Sequence, residues 1–105
     1  MTRVIIYSRA GSPAGFEISG HSGAGFAGAD IVCAAVSSCA YMTANTVTEI
    51  IGANADIEVT DGFMRFVPDK NMAESYRDIL NGFSLHLTEL EKQYPNNLKV
   101  TFSEV

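Results

Sequence analysis

The sequence predicts a single α+β domain in which two helices pack on one face of a mostly antiparallel sheet. Strand and helix patterns follow one another in the order β-β-α-β-β-α-β, turn residues separate the paired strands, and the second helix carries a one-sided apolar stripe. The 105 residues suffice for one compact domain and not for two, and they contain no internal repeat. We therefore expect residues 1–105 to form one domain.

The first two strands are predicted at the N-terminus. Thr2–Ser8 is β-branched and apolar, which is typical of a strand. Ser12–Gly15 has the composition of a turn, and Phe16–His21 alternates again, with Phe16 and Ile18 on one face.

A glycine-rich segment separates this strand from the first helix. Ser22–Ala29 contains three glycines, which predicts a mobile loop. Asp30 is a good N-cap, and Ile31–Ile51 is predicted as a helix that ends at Gly52. Because this helix is rich in Ala and Ser and carries few charges, we expect most of its circumference to be buried.

A hairpin and a final helix–strand unit complete the chain. Asp56–Thr60 and Phe63–Val67 flank Asp61-Gly62, a strong signal for a type I′ turn. Asn71–Gln93 is predicted as a helix, and Leu98–Val105 as a half-buried strand. The stripe of this helix repeats at spacings of three and four residues and comprises Tyr76, Ile79, Leu80, Phe83, Leu87, Leu90 and Tyr94. In the final strand, the inward side chains are expected to be Leu98, Val100 and Phe102.

Charge and hydropathy exclude several functional classes. Twelve acidic and seven basic residues give a net charge of −5, and no Lys/Arg cluster occurs, so we expect no direct binding of nucleic acid. The longest apolar runs fall short of the ~20 residues that span a bilayer. The N-terminus lacks the cleavage site of a signal peptide, and a cytoplasmic location is expected.

The two cysteines, Cys33 and Cys39, are predicted to be free thiols. They are six residues apart in one helix and so lie on different faces, too far apart for a disulfide. Together with His21 and Asp30 they lack the spacing of a zinc site. We therefore expect no metal and no cofactor.

His21 and Cys33 are the candidate catalytic pair. A strand ends near His21, the glycine-rich loop follows, and Cys33 is predicted in the first turn of the helix. Free N–H groups and the helix dipole favour a thiolate there by ~0.3–1 kcal/mol. Because this alone lowers a thiol pKa by less than ~1 unit, the imidazole of His21 is needed as base and counter-charge. The charge of Asp30 opposes thiolate formation unless its carboxylate caps the helix.

Other readings of the same residues compete with this pair. Gly23–Gly28 matches the dinucleotide fingerprint, but Asp30 would place a carboxylate where the pyrophosphate should bind. Ser37 lies one turn after Cys33 on the same helix face, where it either supports the thiol or simply packs. His86 is interpreted as a solvated or core-edge histidine, and no serine lies in a nucleophile elbow.

With these residues in place, the chain resembles the ribosomal-processing cysteine protease family, Prp. The resemblance rests on Gly20-His21 and on Asp30-Ile-Val-Cys33-Ala-Ala-Val-Ser37, joined by a glycine-rich loop. The length and the order of elements are also similar. Ser22 stands where the family more often has alanine, and Cys39 is not part of the motif.

The resemblance implies a homodimeric protease that removes a short N-terminal extension from a large-subunit ribosomal protein. It makes Cys33 the nucleophile and His21 the general base, with Gly20, Ser22, Asp30 and Ser37 as supporting or substrate-binding positions. Two alternatives remain open at this point. One is a non-catalytic module that binds a ribosomal protein during assembly, and the other is a nucleotide-binding domain.

Overall fold

A computed structural model describes the backbone of residues 1–20 and 27–105 and the side chains of residues 1–20 and 31–105. The chain folds into five strands and two long helices. The strands are β1 (Thr2–Arg9), β2 (Ser12–Ser19), β3 (Ala55–Thr60), β4 (Phe63–Pro68) and β5 (Leu98–Glu104). The helices are α1 (Ala27–Asn45), which continues as a π-helical segment (Thr46–Ile51), and α2 (Ala73–Gln93), which follows a 3-10 turn (Lys70–Met72).

The five strands form one sheet in the order β3-β4-β2-β1-β5. Three of the four pairings are antiparallel, and only β1 and β5 run parallel. The expected α+β fold with a mostly antiparallel sheet is therefore confirmed. The parallel pair arises because the crossover through α2 returns the chain to the far edge of the sheet.

The core lies between the sheet and the helices. Phe16 of β2 stacks on Phe83 of α2 with ring centroids 4.2 Å apart, and it also contacts Phe66 of β4 at 5.3 Å. The predicted stripe of α2 faces this core, since Tyr76, Leu80, Phe83 and Leu87 are buried and the other members are half-buried. Periodicity alone therefore identified the buried face of α2 correctly.

The first hairpin differs from its prediction. The turn lies at Ala10-Gly11, both with positive φ, and β2 begins at Ser12 rather than at Phe16. Pro13 is accommodated inside the strand because a bulge interrupts the pairing, which changes from Tyr7↔Gly15 to Ser8↔Pro13. A proline has no N–H to donate and is tolerated at such an irregularity.

The hairpin β3–β4 was predicted correctly, but not its turn type. Thr60 pairs with Phe63 across Asp61-Gly62, so the loop has two residues. A type I′ turn requires positive φ at both, whereas Ala10 is the only non-glycine residue with positive φ in the part of the chain that the structure describes.

The helix α1 differs from its prediction at its start and on its surface. It begins at Ala27, so Asp30 lies inside the helix and is not its N-cap. This extension is consistent with the high helix propensity of alanine, although Gly28 is a poor helix former. Much of its circumference is exposed, because only one side packs on the core, and the exposed apolar side chains include Ile31, Tyr41 and Met42.

The helical stretch Ile31–Ile51 has the length and the apolar composition of a membrane-spanning helix. In this fold, however, its residues Val32, Val36, Ala40 and Val47 are fully buried in the core. Core helices of soluble proteins meet the same two criteria, so this stretch carries no argument for a membrane location.

The last strand follows its prediction except at one residue. Leu98 and Val100 are buried, whereas Phe102 is 59% exposed. Phe102 lies on the same side of the sheet but on the edge strand β5, beyond the cover that the helices provide.

Candidate active site

A cavity of about 240 Å³ lies between α1 and the end of the β3–β4 hairpin. One wall is formed by α1, another by the hairpin, and the remainder by the ends of β1 and β2. The lining residues are Thr2, Ile18, Gly20, Cys33, Val36, Ser37, Ala40, Tyr41, Val59, Thr60, Asp61, Gly62, Phe63 and Met64. Most of these side chains are apolar, and Cys33 contributes the one thiol.

The wall formed by α1 is one face of that helix. Cys33, Ser37 and Tyr41 follow one another at spacings of four residues, so their side chains lie one above the other. Cys33 and Ser37 are half-buried, which leaves the thiol and the hydroxyl reachable from the cavity. The structure thus brings together these two of the residues that the sequence singled out.

Cys33 is not in the first turn of its helix. Since α1 begins at Ala27, Cys33 is its seventh residue and its own N–H lies beyond the free donors of the helix start. The effect of the helix dipole falls off within the first turn, so the thiol gains less from it than the sequence predicted.

Gly20 lines the cavity at a position where only glycine fits without strain. Its φ is +74°, and a Cβ at this position would lie 2.6 Å from the carbonyl oxygen of Met1. Its N–H donates a hydrogen bond to the carbonyl oxygen of Gly62 in the hairpin turn, at 3.0 Å. The chain is thereby held against the hairpin immediately before His21.

Three of the predicted site residues lie wholly or partly outside the described residues. His21 and Ser22 lie outside the described residues, and so does the side chain of Asp30. Of the glycine-rich motif Gly23–Gly28, the structure describes only Ala27 and Gly28, both within α1. Gly20 is therefore the described residue that directly precedes the predicted base, His21.

Cys39 and His86 belong to a different groove. They lie between α1 and α2, in a cavity of about 550 Å³ whose other lining residues include Met42, Ile79 and Phe83. Burial raises the pKa of the Cys39 thiol, and Thr43 opposes this shift in part. Both cysteines are free thiols. A raised pKa makes the thiolate of Cys39 scarcer at neutral pH than that of an unperturbed cysteine, so Cys39 is a weaker nucleophile candidate.

Sequence reasoning missed the rest of the cavity wall. Tyr41 could have been found from helical periodicity, since it lies two turns after Cys33 on the same face. Val59 and Phe63 carry no such signal, because only the tertiary pairing of β4 with β2 brings the hairpin beside α1. Among the described side chains, those of residues 1–20 and 31–105, no group of three His, Cys, Asp or Glu is placed to bind a metal ion.

Comparison with known proteins identifies a family for this chain. Residues 1–99 match the family described as cysteine protease Prp. The ribosomal processing cysteine protease Prp of Bacillus subtilis (strain 168) is 28% identical in an alignment 92 residues long, which covers 82% of this chain and 82% of that protein.

Solved structures share the fold. The ribosomal processing protease Prp from S. aureus, crystallised with a substrate peptide, superimposes with a TM-score of 0.88 at 23% identity, over 98% of this chain and 100% of that one. The same protease with a covalently linked product peptide gives 0.86 at 24% identity, with the same coverage. A protein from Streptococcus mutans gives 0.87 at 22% identity, over 100% and 99% of the two chains.

Proposed function

We propose that this chain, which belongs to the Prp family of cysteine proteases, removes the short N-terminal extension of a large-subunit ribosomal protein precursor. Membership in the family makes the protein a peptide-bond hydrolase that acts through a thiol. The observation that supports our choice of nucleophile is the position of Cys33, half-buried in the cavity between α1 and the hairpin.

In the proposed reaction, His21 removes the proton from the Cys33 thiol and the thiolate attacks the carbonyl carbon of the scissile bond. The amine leaves with the proton that His21 returns, and a thioester remains on Cys33. Water, deprotonated by His21, then attacks the thioester and releases the second product and the free thiol. Gly20 supports this assignment of the base, because it lines the cavity of Cys33 and directly precedes His21.

The oxyanion of the intermediate requires hydrogen-bond donors near Cys33. The free N–H groups of α1 belong to its first residues, Ala27–Asp30, one turn before Cys33. Because side chains of a helix lean toward its N-terminus, the Cys33 thiol is directed toward that turn. We propose these N–H groups as donors, Ser37 as a polar neighbour of the thiol, and Ser22 as a contact of the substrate.

The test mixes the purified protein with the full-length precursor and follows intact masses. Wild type should remove one N-terminal segment, Cys33→Ala should remove none, and His21→Ala should be slower by about 10²–10⁴-fold. Cys39→Ala and His86→Ala are matched controls, since they change the same residue types in the other groove, and both should cleave. Binding of the precursor without any change in its mass would overturn the protease assignment and favour the assembly-module alternative.

We also propose that the protein is a homodimer. The apolar stripe of α2 faces the core and is not available for an interface. The exposed apolar residues Ile31 and Met42 of α1 and Ile50 of the π-helical segment support an interface there instead. Met42→Glu should weaken the dimer in sedimentation, whereas Phe102→Glu, an equally exposed apolar position on β5, should not. A wild-type monomer at micromolar concentration would overturn the proposal.

The proposed processing takes place in the cytoplasm, where the reducing environment keeps Cys33 and Cys39 as thiols. It requires no cofactor, because the cysteine, the histidine and water supply all the reacting groups.

A further inference from the structure

The strand β3 is an edge of the sheet. Within the described residues, β4 is its one neighbour in the sheet, so one row of its backbone N–H and C=O groups faces outward. Five of its six residues are exposed. Such an edge can bind an extended peptide as an additional strand through main-chain hydrogen bonds.

The apolar side chains of β3 continue the cavity of Cys33. Ile57 and Val59 pair with Phe66 and Met64 and therefore lie on the core side of the sheet. They are nevertheless 52% and 51% exposed. Val59 lines the cavity, and Ile57 is the next side chain on that side, farther along the edge. An exposed apolar strip thus runs from the thiol along β3.

The other face of β3 is acidic. Asp56 and Glu58 alternate with the apolar residues and are both exposed; Glu58 pairs with Arg65 of β4, whereas Asp56 pairs with Val67. Pairing of β3 with β3 of a second copy would bring these carboxylates close together, which is unfavourable. A peptide with lysine or arginine side chains would instead be attracted, in keeping with the net charge of −5.

We propose that β3 binds the peptide substrate as a sixth strand, with alternate apolar side chains on Ile57 and Val59 and basic side chains beside Asp56 and Glu58. This inference rests on the proposed protease function, because it takes the occupant of the edge to be the polypeptide that Cys33 cleaves. The six residues of β3 span ~20 Å, enough to pair with about six residues of the substrate.

The first test uses the Cys33→Ala protein and peptides that cover the cleavage site of the precursor, each with one backbone N-methyl group. A strand that adds to β3 directs every second N–H toward the protein. N-methylation should therefore weaken binding about tenfold at alternate positions and leave it nearly unchanged at the positions between them. Losses without a period of two, with the wild type still cleaving the peptide, would overturn the edge-strand inference and leave the protease function standing.

The second test changes the charge of the edge. Asp56→Lys should weaken binding of a peptide with basic side chains about tenfold, because the attraction between residue 56 and these side chains becomes a repulsion. Asp56 pairs with Val67 of β4, so the new lysine has no charged residue directly opposite it in the sheet. Glu74→Lys on α2 makes the same change in net charge at an exposed acidic residue and should alter binding less than about twofold. Equal effects of the two variants would overturn the local role of β3.

The two proposals fail in different ways. Alternating losses of binding in a protein that cleaves nothing would support the edge-strand inference and overturn the protease. If Asp56→Lys strengthened self-association of the protein while leaving peptide binding unchanged, a second copy and not the substrate would occupy the edge, and the inference would fail.

Discussion

The backbone N–H of Gly20 donates a hydrogen bond to the carbonyl oxygen of Gly62, with 3.0 Å between the two atoms. This bond joins the end of β2 to the turn of the β3–β4 hairpin. Both glycines line the cavity that contains Cys33. The segment that leads to His21 is thus held in place by the same hairpin that forms one wall of the candidate active site.

Substitution of Gly20 by alanine should lower both stability and cleavage. The residue has φ +74°, and the added Cβ would lie 2.6 Å from the Met1 carbonyl oxygen. We expect a loss of about 1–3 kcal/mol in the free energy of unfolding, measured by urea denaturation. The backbone must also shift beside His21, so kcat/KM should fall by about tenfold or more.

Gly11→Ala is the matched control for this change. Gly11 has φ +81° but nothing within 4 Å of an added Cβ, and it lies at the opposite end of β2. Gly11→Ala should lower the free energy of unfolding by ~1 kcal/mol, because alanine disfavours a positive φ, and it should leave kcat/KM unchanged. Equal losses of cleavage in both variants would show that Gly20 acts only through stability.

Cys39 should react slowly with alkylating reagents. Burial raises the pKa of its thiol, so the reactive thiolate is scarcer at neutral pH than in an unfolded peptide. The Cys33→Ala variant leaves Cys39 as the only thiol, and the pH dependence of its alkylation by iodoacetamide gives its pKa. A midpoint at or below that of the same variant in urea would contradict the prediction.

The stacked phenylalanines should dominate the stability of the core. Phe83 is buried, and its ring centroid lies 4.2 Å from that of Phe16. Phe83→Ala should lower the free energy of unfolding by about 3–5 kcal/mol, because it leaves a cavity against β2. Leu85→Ala, two residues away and exposed on the same helix, should change it by less than ~0.5 kcal/mol. Similar losses in the two variants would argue against the packing described.

Tyr76 should make the fold sensitive to alkaline pH. Burial raises the pKa of its hydroxyl above 10.0, although Arg9 opposes the shift. A raised pKa in the folded state means that the protonated form is favoured by folding. The stability contributed is therefore complete below pH 10.0 and is lost as the pH rises through the folded-state pKa.

Denaturation midpoints measured from neutral pH to above pH 10.0 test this prediction. Tyr76→Phe removes the titrating hydroxyl while keeping the ring, so its midpoint should decline less steeply than that of wild type. Tyr94→Phe, at a half-buried tyrosine near the end of α2, keeps Tyr76 and should follow wild type. Parallel declines in wild type and Tyr76→Phe would refute the assignment.

The sequence by itself determined the features that depend on local periodicity. The burial of Tyr76, Leu80, Phe83 and Leu87 follows from a helical repeat, and the β3–β4 hairpin follows from two strand patterns around Asp61-Gly62. Cys33 and Ser37 share a face because they are four residues apart on one helix. These relationships depend on residues that are close together in the sequence, so local patterns are enough to predict them.

Only the tertiary structure decided which surfaces meet. The pairing of β4 with β2 places the hairpin beside α1 and closes the cavity around Cys33, and the crossover through α2 leaves β3 as an edge strand. Phe102 fits the inward pattern of β5 yet is exposed, because the helices do not cover that edge. Such outcomes depend on contacts between residues far apart in the chain, which alternation and helical spacing do not encode.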